Sequence, residues 1–394
     1  MEGVVTNRKI KGGMKQTEVG VIPIDWSVRN LGDITTSIAS GKSDTKSNYG
    51  DYPIYGSTGL IGYNSKFDYS GETILVARVG ANAGTVNTVT GKYCVSDNTL
   101  IIELGKSLNF RFIQYYLKYY NLNKLVYGSG QPLITGGQLK LLKIPLPPTK
   151  AEQTAIATAL SDADALIRSL EKLIAKKRLI KQGAMQELLK PKEGWVVKKL
   201  GEVGRTYGGL TGKSKKDFED GNYPYIPFMN VMSNVVTDKN YLDYVKIKSG
   251  EGQNKVQQGD LIFNGSSETP EEVGMCSVLL DEIPILYLNS FCFGFRLYDE
   301  LNNDGLFLSY YFRSEYGRKK FFSLAQGATR YNLSKKNFLQ MDIELPTPVE
   351  QRNISAILLE MDKEIKALES KLEKYKQIKQ GMMQNLLTGR IRLV

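Results

Sequence analysis

Two long stretches of the chain carry apolar residues at alternating intervals of four and three positions. The first contains Ile156, Leu160, Ala163, Ile167, Leu170, Ile174, Ala184 and Leu188, and the second contains Ile354, Leu358, Met361, Ile365, Leu368, Leu372, Tyr375, Met382 and Leu386. This spacing is that of a coiled-coil seam and predicts two helices of about 36 residues, each roughly 55 Å long. A helix with one apolar face must bury it, and each helix offers the other the nearest matching face. An antiparallel pair would hold the regions that precede the helices apart, whereas a parallel pair would place them side by side.

The two regions that precede the helices match each other in order. The matching segments are WSVRNLGDI from Trp26 and WVVKKLGEV from Trp195, GDYP at Gly50 and GNYP at Gly221, GETILV at Gly71 and GDLIFN at Gly259, and IPLPPTKAEQ from Ile144 and IELPTPVEQ from Ile343. GETILV and GDLIFN predict short β-strands, each with a turn in front. The prolines mark the change from period two to the helical period.

A decamer near the end of each predicted helix completes the repeat. IKQGAMQELL at 180–189 returns as IKQGMMQNLL at 378–387, with eight of ten residues identical. We therefore predict an α/β protein with a pseudo-twofold internal repeat of two similar globular domains and two long helices. The predicted segments are a first domain at 1–150, a first helix at 151–190, a second domain at 191–348, a second helix at 349–388 and a C-terminal tail at 389–394.

Lysines interrupt the apolar face of the predicted helices at Lys177, Lys181 and Lys379. Two interpretations stay open: the seam opens and lysine reaches out to solvent, or this end packs on something other than the sister helix. Gly183 and Gly381, at equivalent places in the decamer, weaken a helix interior by about 1 kcal/mol relative to alanine. They indicate either a kink or a close approach by another chain.

Composition and charge narrow the class of protein. The 394 residues favour two or more domains, and 41% apolar with 24% charged residues is typical of a soluble globular protein. The chain lacks a run of roughly 18 apolar residues and an N-terminal secretory signal, so we expect a cytoplasmic protein without a membrane partner. A formal net charge of +11 favours a polyanionic partner such as nucleic acid.

Several kinds of catalytic chemistry are disfavoured by the residues that the sequence lacks. There is no histidine, which removes the commonest general base, and the three cysteines show no paired spacing for a disulfide framework or a zinc site. The carboxylates are scattered, so we predict neither catalytic nor metal-binding residues. The GKS sequences at Gly41 and Gly212 lack the earlier glycine of a nucleotide-binding loop. They indicate either a turn with a lysine or a basic loop over a phosphate backbone.

Basic, tyrosine, hydroxyl and amide side chains in the predicted loops can contact phosphates and base edges. The candidates in the first domain are Lys42, Ser43, Lys46, Tyr49, Tyr52, Arg78, Asn82 and Gln131, and those in the second are Lys213, Lys215, Lys216, Asn264, Ser266, Thr329, Arg330 and Tyr331. The glycine-rich segment at 49–63 suits a recognition loop better than packing. The tyrosines of FIQYYLKYY and LSYYFRSEYG lie in predicted helices and should close a core. Since Asn264 and Ser266 take the place of Arg78 in the second half, two loops that contact the same kind of ligand would recognise different targets.

The order of these motifs resembles the specificity subunit of type I restriction-modification systems, over about Met14–Val394. The resemblance rests on W-x4-LG, then LPPTKAEQ or LPTPVEQ, then a helix ending in IKQGxMQxLL, and the terminal LLTGRIRLV. It implies two target recognition domains, each reading half of an asymmetric bipartite site in double-stranded DNA, joined by a central antiparallel pair of coiled-coil helices. Helix entries and ends then become candidates for helix packing or subunit docking: Glu152, Gln153, Lys181, Gln182, Glu350, Gln351, Lys379 and Gln380.

The resemblance also implies that the chain has no catalysis of its own and binds no cofactor. Two modification (methyltransferase) subunits that use S-adenosylmethionine, and restriction subunits that use ATP and Mg, would dock on it. Two alternatives remain open. A stand-alone nuclease or methyltransferase would need a carboxylate cluster or a motif such as NPPY, and neither occurs in the sequence. A protein-bridging scaffold would use the helices without binding DNA.

Overall fold

The computed structural model describes residues 9–10, 13–45, 49–128, 132–327 and 330–393. It divides into two compact units: unit 1 is Met1–Glu171 with Ser370–Val394, and unit 2 is Lys172–Glu369. Each unit therefore contains one globular domain and a segment of each long helix.

The globular domain of unit 1 is built from short strands and three short helices within the described ranges. The strands are β1 (Lys9–Ile10), β2 (Met14–Thr17), β3 (Gly20–Pro23), β4 (Ser27–Asn30), β5 (Thr35–Ser40), β6 (Tyr52–Gly56), β7 (Gly59–Asn64), β8 (Tyr69–Ser70), β9 (Thr73–Ala77), β10 (Val86–Val89), β11 (Lys92–Val95), β12 (Thr99–Leu104) and β13 (Lys143–Leu146). The helices are α1 (Leu31–Ile34), α2 (Phe110–Tyr120) and α3 (Gly136–Leu141), with a 3-10 turn at Leu122–Leu125. The sheet orders are β1-β2-β3, β10-β9-β12-β5, β7-β6-β11-β8 and β13-β4.

The core of unit 1 lies between the β10-β9-β12-β5 sheet and α2. Strand β9 carries the predicted GETILV run, and all five of its residues are buried. Trp26 is 1% exposed, and its ring packs edge-on against Phe112 of α2 with centroids 6.5 Å apart. Tyr115 and Tyr116 are buried on the inner face of α2. Tyr115 and Tyr116 therefore close a core, as predicted, whereas Tyr119 of the same helix is exposed.

The glycine-rich tyrosine segment forms a β-hairpin rather than an irregular loop, and its role in recognition stays a prediction. Strands β6 and β7 pair antiparallel, and Gly59 supplies a φ of +97° at the turn. Ile54 of β6 is buried, and β6 also pairs in parallel with β11. Period-two packing of these residues outweighed the turn-forming composition of the segment.

A long helix, α4 (Lys150–Leu188), follows the proline-rich segment after β13. Its residues up to Glu171 belong to unit 1 and the rest to unit 2. The helix continues through Gly183, where an added Cβ would meet no atom within 4 Å. Within unit 2, neither a break in the helix nor a close contact accounts for this glycine.

The globular domain of unit 2 repeats the topology of unit 1. Its strands are β14 (Val196–Lys199), β15 (Gly204–Gly208), β16 (Tyr223–Ile226), β17 (Asp243–Val245), β18 (Leu261–Asn264), β19 (Ser266–Ser267), β20 (Cys276–Val278), β21 (Tyr287–Leu288), β22 (Cys292–Leu297), β23 (Tyr331–Asn332) and β24 (Asp342–Leu345). Its helices are α5 (Leu200–Val203), α6 (Phe228–Ser233), α7 (Gly305–Arg313), α8 (Glu315–Leu324) and α9 (Lys335–Leu339), with 3-10 turns at Lys215–Phe218 and Pro270–Glu272. The sheet orders are β14-β24, β15-β22-β18-β20, β17-β16-β21 and β19-β23.

Three sheets correspond between the units. The order β10-β9-β12-β5 recurs as β20-β18-β22-β15, β13-β4 recurs as β24-β14, and β7-β6-β11 recurs as β17-β16-β21. The parallel pair β6/β11 has its counterpart in β16/β21. The predicted internal repeat is thus present in the strand order of both domains.

Aromatic rings fill the core of unit 2 where unit 1 uses mainly aliphatic side chains. Phe263 of β18 lies 5.4 Å from Phe293 of β22 and 4.9 Å from Phe338 of α9, centroid to centroid. Tyr310 and Tyr311 of α7 are fully buried, as predicted for LSYYFRSEYG. Such rings bury large areas and gain from edge-on contacts, so this domain has a rigid base beneath its loops.

The second long helix, α10 (Pro348–Leu386), runs antiparallel to α4 within each unit. In unit 1, Asp164 pairs with Lys379 and Glu171 pairs with Lys376, so positions rise along α4 as they fall along α10. In unit 2 the ion pairs along the same two helices run from Lys177, Arg178 and Lys181 of α4 to Glu364, Glu369 and Asp362 of α10, in that order. Neither these helices nor any other in the described ranges is long and apolar enough to cross a membrane.

Candidate nucleic-acid interface

Loops of unit 2 form a cleft of about 380 Å³ beside the β15-β22-β18-β20 sheet. It is lined by Gly208, Gly209, Leu210, Thr211, Gly265, Ser266, Ser290, Phe291, Cys292, Phe293, Asn332, Leu333 and Lys335, which we call the unit 2 cleft. Among the described residues, this lining includes no aspartate or glutamate. The cleft therefore offers hydroxyl, amide, backbone and cationic groups to an anionic or polar ligand.

Close backbone packing brings these loops together. A Cβ at Gly209 would lie 2.1 Å from the carbonyl oxygen of Asn289. Only glycine therefore lets the segment that follows β15 approach the loop that contains Asn289. The side-chain oxygen of Asn289 accepts from the backbone N–H of Phe291 at 2.8 Å, which fixes the turn before β22. The N–H of Leu333 donates to the carbonyl of Gly265 at 2.9 Å. The floor of the cleft is thus held by backbone contacts, which leaves side chains at its rim free to contact a ligand.

Arg330 and Phe291 form an exposed stacked pair at the rim. The guanidinium carbon of Arg330 lies 5.0 Å from the centre of the Phe291 ring, and Phe291 is 52% exposed. Lys335 is exposed at the start of α9, with its ammonium 5.9 Å from the ring of Phe293. Tyr331 is half-buried in β23 beside them. Of the predicted contacts in this segment, Arg330 lies over Phe291 of the cleft lining, Tyr331 pairs with Ser267, and Thr329 lies outside the described residues.

Lys213 cannot act as the predicted phosphate contact, because its ammonium is already bound within the domain. Its side chain is 5% exposed, pairs with Glu251 at 2.5 Å and donates to the carbonyl of Lys246 at 2.7 Å. The hydrogen bond from Lys213 is the main reason that the pKa of Glu251 falls to about 2. The TGKS sequence is therefore a turn with a structural lysine. Lys215 and Lys216, on the adjacent 3-10 turn, are exposed.

Asn264 is also buried, and its side chain is bound within the domain, which corrects its prediction as a direct contact. Asn264 is fully buried, accepts from the N–H of Met275 at 2.6 Å and donates to the carbonyl of Glu272 at 2.9 Å. It ties the ends of the loop that replaces the first domain's arginine loop. Ser266 is buried in β19, where it pairs with Asn332, and it lines the unit 2 cleft.

The corresponding loops of unit 1 place Arg78 directly after β9. Its Nη1 donates to the hydroxyl of Ser40 at 3.2 Å and to the carbonyl of Asp97 at 3.5 Å. Its Nε is buried without a hydrogen-bond partner among the described residues, as are the hydroxyls of Ser96 and Thr99. Buried polar groups without partners cost stability, so their gathering on these loops is consistent with a site for a ligand.

The remaining candidates of unit 1 differ in exposure. Lys42 and Asn82 are exposed, and Tyr49 is 83% exposed. Ser43 accepts from the N–H of Val95 at 2.9 Å, and Tyr52 packs edge-on against a phenylalanine ring, so these two have structural roles. Lys46 and Gln131 lie outside the described residues.

The helix-entry glutamines hold the globular domains onto the long helices. The side-chain oxygen of Gln153 accepts from the N–H of Asn109, the N-cap of α2, at 2.9 Å. Gln351 accepts from the N–H of Asp304, the N-cap of α7, at 2.8 Å. Both glutamines are buried, so these two side chains serve packing inside each unit.

The glutamates of the same motif differ between the units. Glu152 is buried and accepts from the indole of Trp26 at 3.4 Å and from Arg392 at 2.8 Å. Arg392 also pairs with Asp25 at 3.0 Å, so the C-terminal tail is bound to the globular domain of unit 1. Glu350 is only half-buried. Sequence reasoning missed Arg392 because its partners lie far away along the chain.

Lys181 and Lys379 are also packing residues, while their neighbours in the decamer are not. Lys379 pairs with Asp164 in unit 1, and Lys181 pairs with Asp362 in unit 2. Gln182 and Gln380 are exposed in their units. The seam therefore does not open at these lysines, which corrects the first interpretation of its defects.

Groups for catalysis are scarce among the residues that the structure describes. They include no cluster of three or more acidic, cysteine or histidine side chains that could hold a metal ion. Cys292 lies in the cleft lining, but burial raises its pKa to about 12, so its thiol is a poor nucleophile.

Phe291, Lys335 and Asn289 were missed by the sequence analysis, although each contributes to the cleft. An asparagine such as Asn289 can form a turn by accepting a hydrogen bond from the backbone N–H two residues later. We did not use this turn signal, because we searched this part of the sequence for strands. Lys335 follows a predicted N-cap, where a basic residue gives no distinctive signal.

Comparison with known proteins agrees with this geometry. The family model described as type I restriction modification DNA specificity domain matches residues 23–177 and again 192–380. The type I restriction enzyme MjaVIII specificity subunit of Methanocaldococcus jannaschii is 27% identical, with 94% of each chain covered, and the putative MjaX specificity subunit of that organism is 28% identical, with 96% covered. The crystal structure of a type I restriction-modification S subunit from M. genitalium has the same fold, with a TM-score of 0.62, 19% identity, and 92% of this chain and 96% of that one covered. With two copies of the family's domain over most of its length, the chain belongs to the type I restriction-modification DNA specificity subunits.

Proposed function

We propose that the chain reads a bipartite site in double-stranded DNA, with one half-site for each globular domain. The observation that carries the proposal is the unit 2 cleft, which is lined by Lys335 and several amide and hydroxyl groups, with no acidic residue in the described lining. The guanidinium of Arg330 lies over Phe291 at the rim of this cleft. Cationic side chains release counterions from phosphates, and arginine, amide and hydroxyl groups match base edges. Membership of a DNA specificity family favours DNA over any other polyanion.

The two half-sites should differ in sequence, because the two domains offer different side chains at equivalent places. Arg78 follows β9 in unit 1, whereas Gly265 follows β18 in unit 2. The residue four positions before the N-cap of the next helix is Gln131 in the first domain and Arg330 in the second. Glutamine and arginine prefer different bases, so an asymmetric site is expected.

The proposal extends to the partners of the chain. Two methyltransferase subunits would dock at the repeated decamers, where Gln182 and Gln380 are exposed at equivalent positions, because one repeated chain can present two similar faces to identical partners. Restriction subunits would join this complex. S-adenosylmethionine, ATP and Mg would be bound by these partners, and the chain would contribute recognition and no catalysis. We expect it in the cytoplasm, where chromosomal DNA lies.

A domain exchange tests the reading of half-sites. Residues 191–348 are replaced by the corresponding domain of a relative, and methylated adenines are mapped in cells that also produce the methyltransferase subunit. One half of the methylated site should change and the other should stay. A change in both halves, or in neither, contradicts domain-wise recognition. The reciprocal exchange of residues 1–150 is the matched control and should change the opposite half.

Copurification tests the docking faces. The tagged chain should retain two methyltransferase subunits, and Gln380→Arg should reduce this number to one because it adds a charged side chain to only one face. Loss of both copies, or retention of both, would contradict two separate faces at the decamers.

A further inference from the structure

The stacked pair of Arg330 and Phe291 carries a more specific inference, which rests on the proposed function. We infer that Arg330 reads a guanine in the half-site of the second domain, with Phe291 as the platform that aims its guanidinium. Three observations in unit 2 support this assignment: the stacking geometry, the anchoring of both residues and the surroundings of the pair.

The stacking geometry favours a base edge over a phosphate. With its guanidinium carbon 5.0 Å from the ring centre, Arg330 is attracted by the π-face of Phe291. A guanidinium on a ring keeps its N–H donors available at its edge, in a planar fork. That fork matches the O6 and N7 acceptors of guanine in the major groove, the commonest specific contact of arginine with DNA.

The backbone of each residue in the pair is held by contacts with its neighbours. Gly327 has a φ of +138°, and a Cβ there would come within 2.1 Å of the carbonyl oxygen of Arg330, so glycine is required for this close approach. The same carbonyl accepts from the side chain of Asn332 at 3.3 Å. Phe291 is fixed by the turn at Asn289, and its carbonyl accepts from the N–H of Gly265 at 2.8 Å. A donor held in place loses less entropy when it binds a base, and a misplaced base loses the whole contact.

The basic residues around Arg330 suit a different role from Arg330 itself. Lys335 at the rim, and Lys215 and Lys216 on the 3-10 turn, are exposed lysines with flexible stems, which suit phosphates as point charges. Arg330 differs from them because its guanidinium lies over the ring of an exposed aromatic side chain. Phe291 is 52% exposed, so the Arg330 guanidinium and the ring beneath it are both accessible to a ligand.

The test maps methylated adenines for variants of the full chain, produced with the methyltransferase subunit. In the site methylated with the wild-type chain, the half that changes on exchange of residues 191–348 should contain an invariant guanine. Arg330→Ala should lower the preference for guanine at that one position by about 5- to 150-fold, and leave the other half-site unchanged. Arg330→Lys should not restore the preference, because lysine lacks the fork.

A second variant guards against a folding defect. Phe291→Leu keeps the arginine and a large apolar side chain while it removes the π-face, and it should weaken the preference at the same guanine. Lys216→Ala is the matched control and should reduce methylation at all sequences equally, with an unchanged motif.

Two outcomes would overturn the inference while the proposed function survives. The first is a split motif with no guanine in the second half-site. The second is an Arg330→Ala variant that methylates the unchanged motif less efficiently, with Arg330→Lys restoring the rate, which would make Arg330 a phosphate contact. A wild-type complex that methylates no split site would instead contradict the proposed function itself.

Discussion

The ammonium of Lys379 lies 2.6 Å from the carboxylate of Asp164, and this ion pair joins the second copy of the repeated decamer to the first long helix within unit 1. The hydroxyl of Tyr115 donates to the same carboxylate at 2.7 Å. Asp164 is thus shared by a helix of the globular domain and by α10. Unit 2 contains the same arrangement, with Lys181 paired to Asp362 and Tyr310 donating to that carboxylate at 2.7 Å. The repeated lysine therefore fixes a domain and two helix segments together in each unit.

Lys379→Met should destabilise unit 1 by about 1–3 kcal/mol, because it leaves the partly buried carboxylate of Asp164 without its cation. Urea unfolding of the purified chain, followed by tyrosine and tryptophan fluorescence, measures the change. Lys374→Met is the matched control, because Lys374 is exposed on the same helix. An equal and small effect of both substitutions would contradict a structural role for the repeated lysine.

The pH dependence of stability should reveal Asp164. Burial alone would raise the pKa of this carboxyl, but hydrogen bonds from Lys379 and Tyr115 outweigh it and hold the pKa below its usual value. Because the folded pKa is lower than the unfolded one, the stabilisation is complete above the unfolded pKa of about 3.9 and is lost as the pH falls through the folded pKa. The difference in unfolding free energy between the wild-type chain and Asp164→Asn should therefore be constant near neutrality and shrink below about pH 4. A difference that grows on acidification would show that the charged form is not the stabilising one.

Gln153→Ala should cost about 1–3 kcal/mol, since it leaves the N–H of the Asn109 N-cap without its acceptor in a partly buried position. Thermal melting of the purified chain measures the loss. Gln380→Ala removes the same chemical group from an exposed site and should leave the melting temperature unchanged. Similar shifts of the melting temperature in both variants would contradict the packing role of Gln153.

Lys215 and Lys216 should contribute to DNA affinity, whereas Lys213 should not contribute directly. Replacing either exposed lysine with alanine should reduce the dependence of log affinity on log salt by about one unit of slope, as expected for one lost phosphate contact. Lys213→Met should instead lower the stability of unit 2, because it removes the cation that pairs with the carboxylate of Glu251. Titration of labelled duplex with the assembled complex at several salt concentrations measures the slopes. A reduced slope for Lys213→Met with unchanged stability would reverse the assignment.

Gly381→Ala should stabilise the free chain by about 1 kcal/mol, because the helix is continuous there and a Cβ would meet no atom within 4 Å in unit 1. Urea unfolding again gives the change. If the glycine serves a close approach by a docked subunit, the same variant should bind methyltransferase less tightly. A destabilised free chain would mean that the helix needs glycine for its own geometry.

The sequence predicted well those features that depend on periodicity. The spacing of residues such as Ile156 and Leu160 indicated the long helices, and the matching motifs indicated the repeated domains. Both patterns extend over many residues, so a single residue that departs from the pattern does not change the predicted element. The buried tyrosines of α2 and α7 were expected because tyrosine in a helix commonly closes a core.

Individual binding residues were harder to predict, because their roles depend on partners distant in the sequence. Lys213 and Lys215 are the same residue type two positions apart. The side chain of Lys213 is buried in an ion pair with Glu251, whereas Lys215 is exposed. Asn264 resembled a contact in the sequence, but it holds the carbonyl of Glu272 and the N–H of Met275. Phe291 gave no signal of recognition until the structure placed it beneath Arg330.

Recognition by two different domains is best measured by mapping methylated adenines in DNA from cells that produce the chain with a methyltransferase subunit. We expect one motif in two specific parts of different sequence, separated by a fixed number of unspecified base pairs. A continuous motif, or two parts of identical sequence, would contradict recognition by two different domains.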